Sequence, residues 1–245
     1  MDPLTSAAAS GLQARMDSFD MLANNLANAS TNGFKADREF YSTYLSSGAA
    51  TSIDGSVGES PVVQRQWTDF AQSTLVETGN ANDVALSGTG FFGVNGPSGP
   101  LYTRNGAFRI SKGELVTAEG YGVRLVGGKT LQTQSTSPLQ ISSDGQISQD
   151  NNSIGQLEVV DFADASQLAR TAGKYFQNGD PSANPSTASS AAVVQGKLET
   201  SNAAPAESAA RMISLMRHFE MLQHAVKIGS EMNREAVEQV ARVGS

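Results

Sequence analysis

The fold is indicated most clearly by residues 101–120, LYTRNGAFRISKGELVTAEG. Short runs rich in β-branched and aromatic residues alternate here with the turn pairs Asn105-Gly106, Lys112-Gly113 and Glu119-Gly120. Such pairs form the tight turns of β-hairpins, and a spacing of roughly 8–12 residues is typical of antiparallel strands rather than of βαβ units. The same short period continues over residues 61–200, which therefore predict a central antiparallel β domain.

Both ends of the chain predict helices. Residues 3–29 follow Asp2, a suitable N-cap, and begin with Pro3, which favours the first helical position. Apolar residues recur there at every third or fourth position, as on one helix face. A second stripe of this kind runs for nearly 40 residues from Pro205. A helix of that length is typical of a coiled coil or of a subunit packed in an assembly.

The composition excludes several classes of function. Lys and Arg total 17 against 24 Asp and Glu, which gives a net charge of −7, and no basic cluster offers a surface for nucleic acid. The absence of cysteine excludes disulfides, Cys-ligated metals and thiol catalysis. No apolar run reaches the length of a membrane span, so we expect no membrane insertion. Residues 1–14 carry Asp2 and no basic residue, which predicts that no cleaved signal peptide is used.

The motifs that suggest enzyme chemistry lack the context that the chemistry needs. Residues 88–93, GTGFFG, match the dinucleotide-binding pattern, but the turn pair Asn95-Gly96 follows where a helix is required. We therefore expect Phe91 and Phe92 to pack in a β core. His218 and His224 are six positions apart and cannot form the zinc pair of a helix. The sequence predicts no enzyme, no cofactor, no metal site and no small-molecule substrate.

Three segments resemble those of one protein family. Residues 23–35, ANNLANASTNGFK, are here called the signature segment; the other two segments are residues 102–121 and residues 195–202, QGKLETSN. Together and in this order they resemble the bacterial flagellar rod and hook proteins. Within that family, the length and residues 217–221, RHFEM, are most similar to the proximal rod protein of the F type.

The resemblance implies a structural role. Members of this family are exported to the periplasm through the flagellar export apparatus without a cleaved signal peptide, and they stack there as the rod of the basal body. The rod is the drive shaft between motor and hook and is required for motility. The implied partners are copies of this chain, neighbouring rod proteins and the export apparatus. The terminal helices would form an inner tube and the β domain an outer layer.

These observations predict an α+β fold in which long N- and C-terminal helices pair as a coiled-coil-like stem beside a central antiparallel β-rich domain. Residues 1–45 would hold the N-terminal helix and the signature segment, and residues 46–60, which are small and polar, a flexible linker. Residues 61–200 would form the β domain. Residues 201–245 would form the C-terminal helix, packed with the N-terminal one.

The predicted assembly interface combines the two apolar stripes with the asparagines of the signature segment. Asparagine amides both donate and accept hydrogen bonds, so they suit a helix end crowded by neighbours. The predicted residues are Leu4, Leu12, Phe19, Leu22, Asn24, Asn25, Leu26, Asn28, Met212, Met216, Phe219, Leu222 and Val226.

Two alternatives remain open at this point. The chain could be a distal rod or hook-type subunit of the same family. It could also belong to a different class, a secreted β domain that binds carbohydrate or protein and dimerises through its helices. A rod subunit polymerises or stays monomeric, whereas a dimerising binder keeps one stable stoichiometry.

Overall fold

The computed structural model describes residues 3–45, 59–135, 137–179 and 185–243. The described residues up to Ala27, from Asp37 to Trp67 and from Ala204 onward form a first compact unit. Those of 28–36 and 68–203 form a second unit. In chain order the elements are α1 (Pro3–Ala27), β1 (Asp37–Leu45), β2 (Glu59–Thr68), β3 (Leu75–Glu77), β4 (Val84–Ser87), β5 (Phe91–Gly96), β6 (Gly99–Thr103), β7 (Arg109–Ser111), β8 (Glu114–Val116), β9 (Gly122–Val123), β10 (Gln140–Ile141), β11 (Gln146–Gln149), β12 (Asn152–Gln156), β13 (Val159–Asp161), a 3-10 helix (Ala165–Gln167), β14 (Leu168–Ala172), β15 (Tyr175–Asn178), β16 (Ser186–Thr187), β17 (Ala192–Gln195), β18 (Lys197–Glu199) and α2 (Pro205–Val243).

The predicted fold class, an α+β chain with long terminal helices paired as a coiled-coil-like stem, is wrong. The chain is mostly antiparallel β-sheet, and α1 has 25 residues against 39 in α2. Among the described side chains, the buried apolar contact between the helices is one small cluster of Met21, Leu22 and Leu215, with Met212 beside it. Met16, which belongs to the apolar stripe of residues 3–29, is 53% exposed. An apolar period identifies the amphipathic face of a helix but does not specify what covers that face.

The second unit is built around a nine-stranded sheet. Seven of its strands follow the order β14-β15-β6-β5-β9-β8-β7, and β13 joins β5 to β16. The smaller sheets of this unit are β10-β11-β12, β17-β4 and β18-β3, while β1 and β2 pair in the first unit. The pairings within the second unit are antiparallel. Of the predicted linker, residues 46–58 lie outside the described residues.

Two hairpins close through unusual backbone angles, one at the predicted pair Lys112-Gly113 and one at a pair that was not predicted. The predicted pair Asn105-Gly106 closes no hairpin, because β6 and β7 are not paired. Between β7 and β8, Lys112 and Gly113 have φ values of 52° and 81°. Between β11 and β12, Asp150 and Asn151 have φ values of 51° and 63°. Positive φ at both central residues is the mark of the type I′ turn, whose twist matches that of the flanking strands. These two hairpins fix the register locally.

The core of the second unit lies on both faces of β5. Successive side chains of a strand point to opposite faces, so Phe92 enters the larger apolar cluster and Phe91 the smaller one. Gly90 precedes them at φ 129°, and a Cβ there would lie 2.9 Å from the Cβ of Ala188. The glycines of residues 88–93 therefore permit close packing, and a strand follows them where a dinucleotide site requires a helix.

Candidate functional site

The described residues offer helix faces and a buried polar cluster rather than reaction chemistry. No three His, Asp or Glu side chains in this part of the chain are placed to hold a metal ion. His218 and His224 are both exposed on α2. Over their described residues, α1 and α2 contain no apolar stretch long enough to cross a bilayer.

Helix α1 has two different faces. The buried face consists mainly of small and polar residues: Gly11, Ala14, Ser18, Met21, Leu22 and Asn25. The Ser18 hydroxyl donates a hydrogen bond to the Ala14 carbonyl at 2.8 Å, which satisfies it inside the packed face. The opposite side, here called the α1 outer face, consists of Leu12, Met16, Phe19 and Leu26, of which all but the half-buried Leu12 are exposed. At 3.6 residues per turn these four positions fall on one side of the helix.

A groove of about 340 Å³ lies between α1 and α2. Its apolar lining is Met16, Phe19, Leu215, Met216 and Phe219, and it is here called the helix groove. Residues 21 and 22 contact residues 212 and 215, while residues 16 and 19 lie beside residues 215–219. Along the contact, the residue numbers of α1 decrease while those of α2 increase. The two helices therefore run antiparallel over this short stretch.

The predicted interface residues fall into different settings. Leu22 packs in the buried cluster beside Met212, and Phe19, Met216 and Phe219 together line the helix groove. The other predicted interface residues lie outside both the buried cluster and the helix groove. Asn25 is buried, Asn24 and Leu26 are exposed, and Leu12, Asn28, Leu222 and Val226 are half-buried. The side chain of Leu4 lies outside the described residues.

Asn25 ties α1 to the first residue of β1. Its Nδ2 donates to the Asp37 carbonyl at 2.8 Å, and its Oδ1 accepts from the Asp37 N–H at 3.0 Å. An aspartate at this position could not donate the first hydrogen bond, and an alanine could form neither of the two. The amide therefore satisfies both backbone groups of the residue at which the strand begins.

The end of the signature segment is enclosed by the second unit. Phe34 and Lys35 are fully buried. The Gly33 N–H donates to the Glu199 carbonyl at 2.7 Å. The Arg170 guanidinium stacks on the ring of Phe34 at 4.8 Å and also donates to the Lys35 carbonyl. These contacts join two parts of the chain that are far apart in sequence.

An ion cluster lies beneath this contact. Lys35 Nζ is 2.6 Å from Glu199 Oε1, with both side chains 0% exposed, and Arg104 Nη1 is 3.5 Å from Glu199 Oε2. The same Oε1 accepts from the Ser73 N–H at 2.8 Å, and Lys35 donates to the Ala71 carbonyl at 2.7 Å. Burial lowers the pKa of Lys35 and of Arg104, while the Glu199 carboxylate opposes both shifts. One carboxylate thus lies between two buried cations and attracts both.

Sequence reasoning did not single out the three members of this cluster. Lys35, Arg104 and Glu199 each lie in one of the three segments that carry the family resemblance. In each segment the charged residue is flanked by turn or apolar residues, and the three residues include both positive and negative charges. This pattern could have suggested a buried ion cluster. Spacing alone could not, because 164 residues separate Lys35 from Glu199.

Gly33→Ala is expected to lower the free energy of unfolding of the second unit by roughly 2–4 kcal/mol. Gly33 has φ 67°, and a Cβ there would lie 2.3 Å from the Asn105 nitrogen and 2.4 Å from the Arg104 carbonyl carbon. Urea denaturation followed by circular dichroism measures the loss. Gly79→Ala is the matched control, because Gly79 has φ 70° with no atom within 4 Å of the added Cβ. Equal losses in both variants would show that the close backbone approach costs nothing.

Three family models match the chain in order. The model described as flagella basal body rod protein matches residues 6–35. The FlgE/F/G D1 domain of flagellar hook protein matches residues 85–149, and the C-terminal model of flagellar basal body rod FlgEFG protein matches residues 194–239. The flagellar basal-body rod protein FlgF of Caulobacter vibrioides is 33% identical over 230 residues, which cover 91% of this chain and 92% of that protein. The chain belongs to the flagellar basal-body rod family.

Other relatives agree with this membership. FlgG of Buchnera aphidicola subsp. Schizaphis graminum is 32% identical over 91% of this chain and 94% of its own length. FlgG of Borreliella burgdorferi is 31% identical over 92% and 94% of the two chains. This rod-family chain is a structural subunit of the flagellar basal body, not an enzyme, and it assembles with other rod components. The resemblance inferred from the sequence is therefore confirmed.

Proposed function

We propose that this rod-family chain is a proximal rod subunit of the F type, part of the periplasmic drive shaft between motor and hook. Its similarity to the FlgF protein of Caulobacter vibrioides over 91% of the chain supports the subtype. The flagellar export apparatus would deliver it to the periplasm without cleavage of a signal peptide. Family membership supports that route, because the other rod proteins must reach the same assembly.

The observation that carries the mechanical role is the exposure of apolar side chains on both helices. Met16, Phe19 and Leu26 of the α1 outer face are exposed, as is Met216 beside them in the helix groove. Exposed apolar patches of this kind mark interaction surfaces. Full burial of one such side chain contributes about 1.5–3 kcal/mol of favourable free energy. A contact between two subunits that buries several half-exposed side chains of this kind is therefore sufficient for assembly. We propose that neighbouring subunits bury them.

The half-buried predicted residues extend the same surface along the helices. Leu12 belongs to the α1 outer face, and Leu222 and Val226 continue α2 beyond the helix groove. Asn24 is also exposed on α1, and we propose that a neighbouring subunit packs against it. Buried Asn25 is already occupied by Asp37, so we assign it to the internal fold of the first unit.

A second candidate is the distal rod subunit of the G type, which the similarity to two FlgG proteins over 94% of their length favours. Immunogold labelling of isolated basal bodies with an antibody against this chain separates the candidates. We expect label at the motor end of the rod and none in a strain that lacks the gene. Label at the hook end would contradict the F type, and basal bodies without label would contradict the periplasmic rod location.

A further inference from the structure

The first and the last segments of the second unit are fastened to each other. Residues 33–36, here called the strap, belong to the first segment. The Gly33 N–H donates to the Glu199 carbonyl at 2.7 Å, and the Ala36 N–H donates to Asn202 Oδ1 at 2.7 Å. Both ends of the strap are therefore bonded to the residues with which the second unit ends.

The Asn202 side chain also ties the residues on the other side of the strap. Its Nδ2 donates to the Asp69 carbonyl at 2.7 Å, and the Asp69 N–H donates to the Ala36 carbonyl at 2.8 Å. The Asn202 N–H donates to the Phe34 carbonyl at 3.3 Å. The strap thus lies between the residues that precede β3 and those that follow β18.

A guanidinium group separates the strap from the apolar core. Phe34 is fully buried, but its ring stacks on the Arg170 guanidinium at 4.8 Å, and that guanidinium lies 4.9 Å from the ring of Phe176. Phe176 belongs to the smaller apolar cluster. Among the described residues, the buried members of both clusters lie within 84–193, here called the β body, and include none of the strap. Phe34 therefore contacts the β body through a cation.

The bonds that hold the strap are polar, and water replaces such bonds when the strap opens. Lys35 and Glu199 would regain hydration together, so their ion pair adds little net free energy even though removal of one partner alone is costly. The hydrogen bonds of the strap likewise exchange for bonds to water. The β body is held by apolar burial, for which water offers no replacement. Opening the strap therefore requires less free energy than unfolding the β body.

The distance along the chain makes closure of the strap a late step. Lys35 and Glu199 are 164 residues apart, whereas Gly96 and Gly99 pair across the turn between β5 and β6. The entropic cost of closing a loop rises with its length, so local hairpins form before distant contacts. Once the β body has folded, the chain between the two partners is already compact, and the strap closes at little further cost.

We propose that the strap is a separately opening element, which leaves and rejoins the second unit while the β body stays folded. Glu199 and Asn202 are its fastening residues. Its opening releases the first and the last segments of the second unit at the same time. Such an opening is a subglobal step that lies below global unfolding in free energy. The proposal is independent of the position of the chain in the rod.

Native-state hydrogen exchange of the full chain, followed by NMR at urea concentrations below the unfolding transition, tests this proposal. The matched control amides are those of Leu157 and Val193, which are as buried as Gly33 and Ala36 and donate to backbone carbonyls at 2.8 and 2.9 Å. We expect the protection factors of Gly33 and Ala36 to be at least about tenfold lower than those of the controls. They should also depend less on urea, because opening the strap exposes little surface.

Ile147→Val separates opening of the strap from unfolding of the β body. Ile147 is fully buried in the larger apolar cluster, so loss of one methyl group should speed exchange at Leu157 and Val193 by about 2- to 12-fold. Exchange at Gly33 and Ala36 should stay unchanged. Protection of the strap amides that equals or exceeds that of the controls in the natural chain would overturn the proposal, as would equal acceleration of all four amides in Ile147→Val.

Discussion

Glu199→Gln is expected to lower the free energy of unfolding of the second unit by about 3–5 kcal/mol, because removal of one partner from a buried ion cluster leaves charge uncompensated. Glu199 is the carboxylate of the cluster and faces both Lys35 and Arg104. Glutamine keeps the size of the side chain but brings an NH2 group toward two cationic donors. The end of the signature segment would lose its anchor on the second unit.

Urea denaturation of the full chain, followed by circular dichroism, measures this loss. Glu158→Gln is the matched control, since Glu158 pairs with Arg124 at a site where both side chains keep about a fifth of their exposure. There we expect a loss of about 1 kcal/mol. Without the Glu199 carboxylate, the pKa of buried Lys35 should fall further, so that Lys35 loses its proton more readily in the folded chain. Part of the free energy of unfolding lost in Glu199→Gln should therefore be recovered as pH rises toward about 10. Equal losses in the two variants at pH 7 would contradict the account of the cluster.

Leu222→Asp is expected to abolish swimming while the second unit keeps its own unfolding transition. Leu222 is half-buried on α2, on the side of the helix opposite its exposed charged residues. A carboxylate there would be desolvated by the neighbouring subunit, at a cost of several kcal/mol that recurs in every copy. Swimming in soft agar and negative-stain counts of completed rods measure the effect. Circular dichroism of the purified variant checks the second unit.

His224→Asp is the control for this experiment. His224 is exposed on the charged side of α2, two positions from Leu222, so the same carboxylate there stays in water. We expect this strain to swim normally. Normal swimming of the Leu222→Asp strain would contradict the assignment of this part of α2 to assembly, whereas failure of both strains would show only that the helix tolerates no new charge.

Local signals in the sequence predicted local structure well. The Lys112-Gly113 pair forms the expected hairpin turn, because only a few residue pairs adopt positive φ at both positions. Pro3 and Pro205 begin the two helices as their preference for the first turn predicts. Each of these features depends on neighbours in the chain, which a single sequence contains.

Features that depend on distant partners could not be predicted in this way. The stripe through Met16 and Phe19 reads as the buried face of α1, yet both residues are exposed and the small residues Ala14 and Ser18 are buried. The elements that pack on a helix decide which of its faces is buried. Periodicity alone therefore could not show which face of α1 is buried in the folded chain. For the same reason the paired stem was predicted wrongly. The bond between Asn25 and Asp37 likewise depends on where β1 begins.

If neighbouring subunits cover the exposed apolar residues of both helices in the rod, these residues should be protected there from reagents in the solvent. Methionine oxidation by dilute peroxide, read by mass spectrometry, compares the free chain with isolated basal bodies. In the free chain we expect rapid oxidation of Met16 and Met232, which are exposed, and slow oxidation of Met21, which is buried. In basal bodies we expect Met16 and Met232 to react more slowly by on the order of tenfold, with the rate of Met21 unchanged. Equal rates for Met16 and Met232 in the two samples would contradict it.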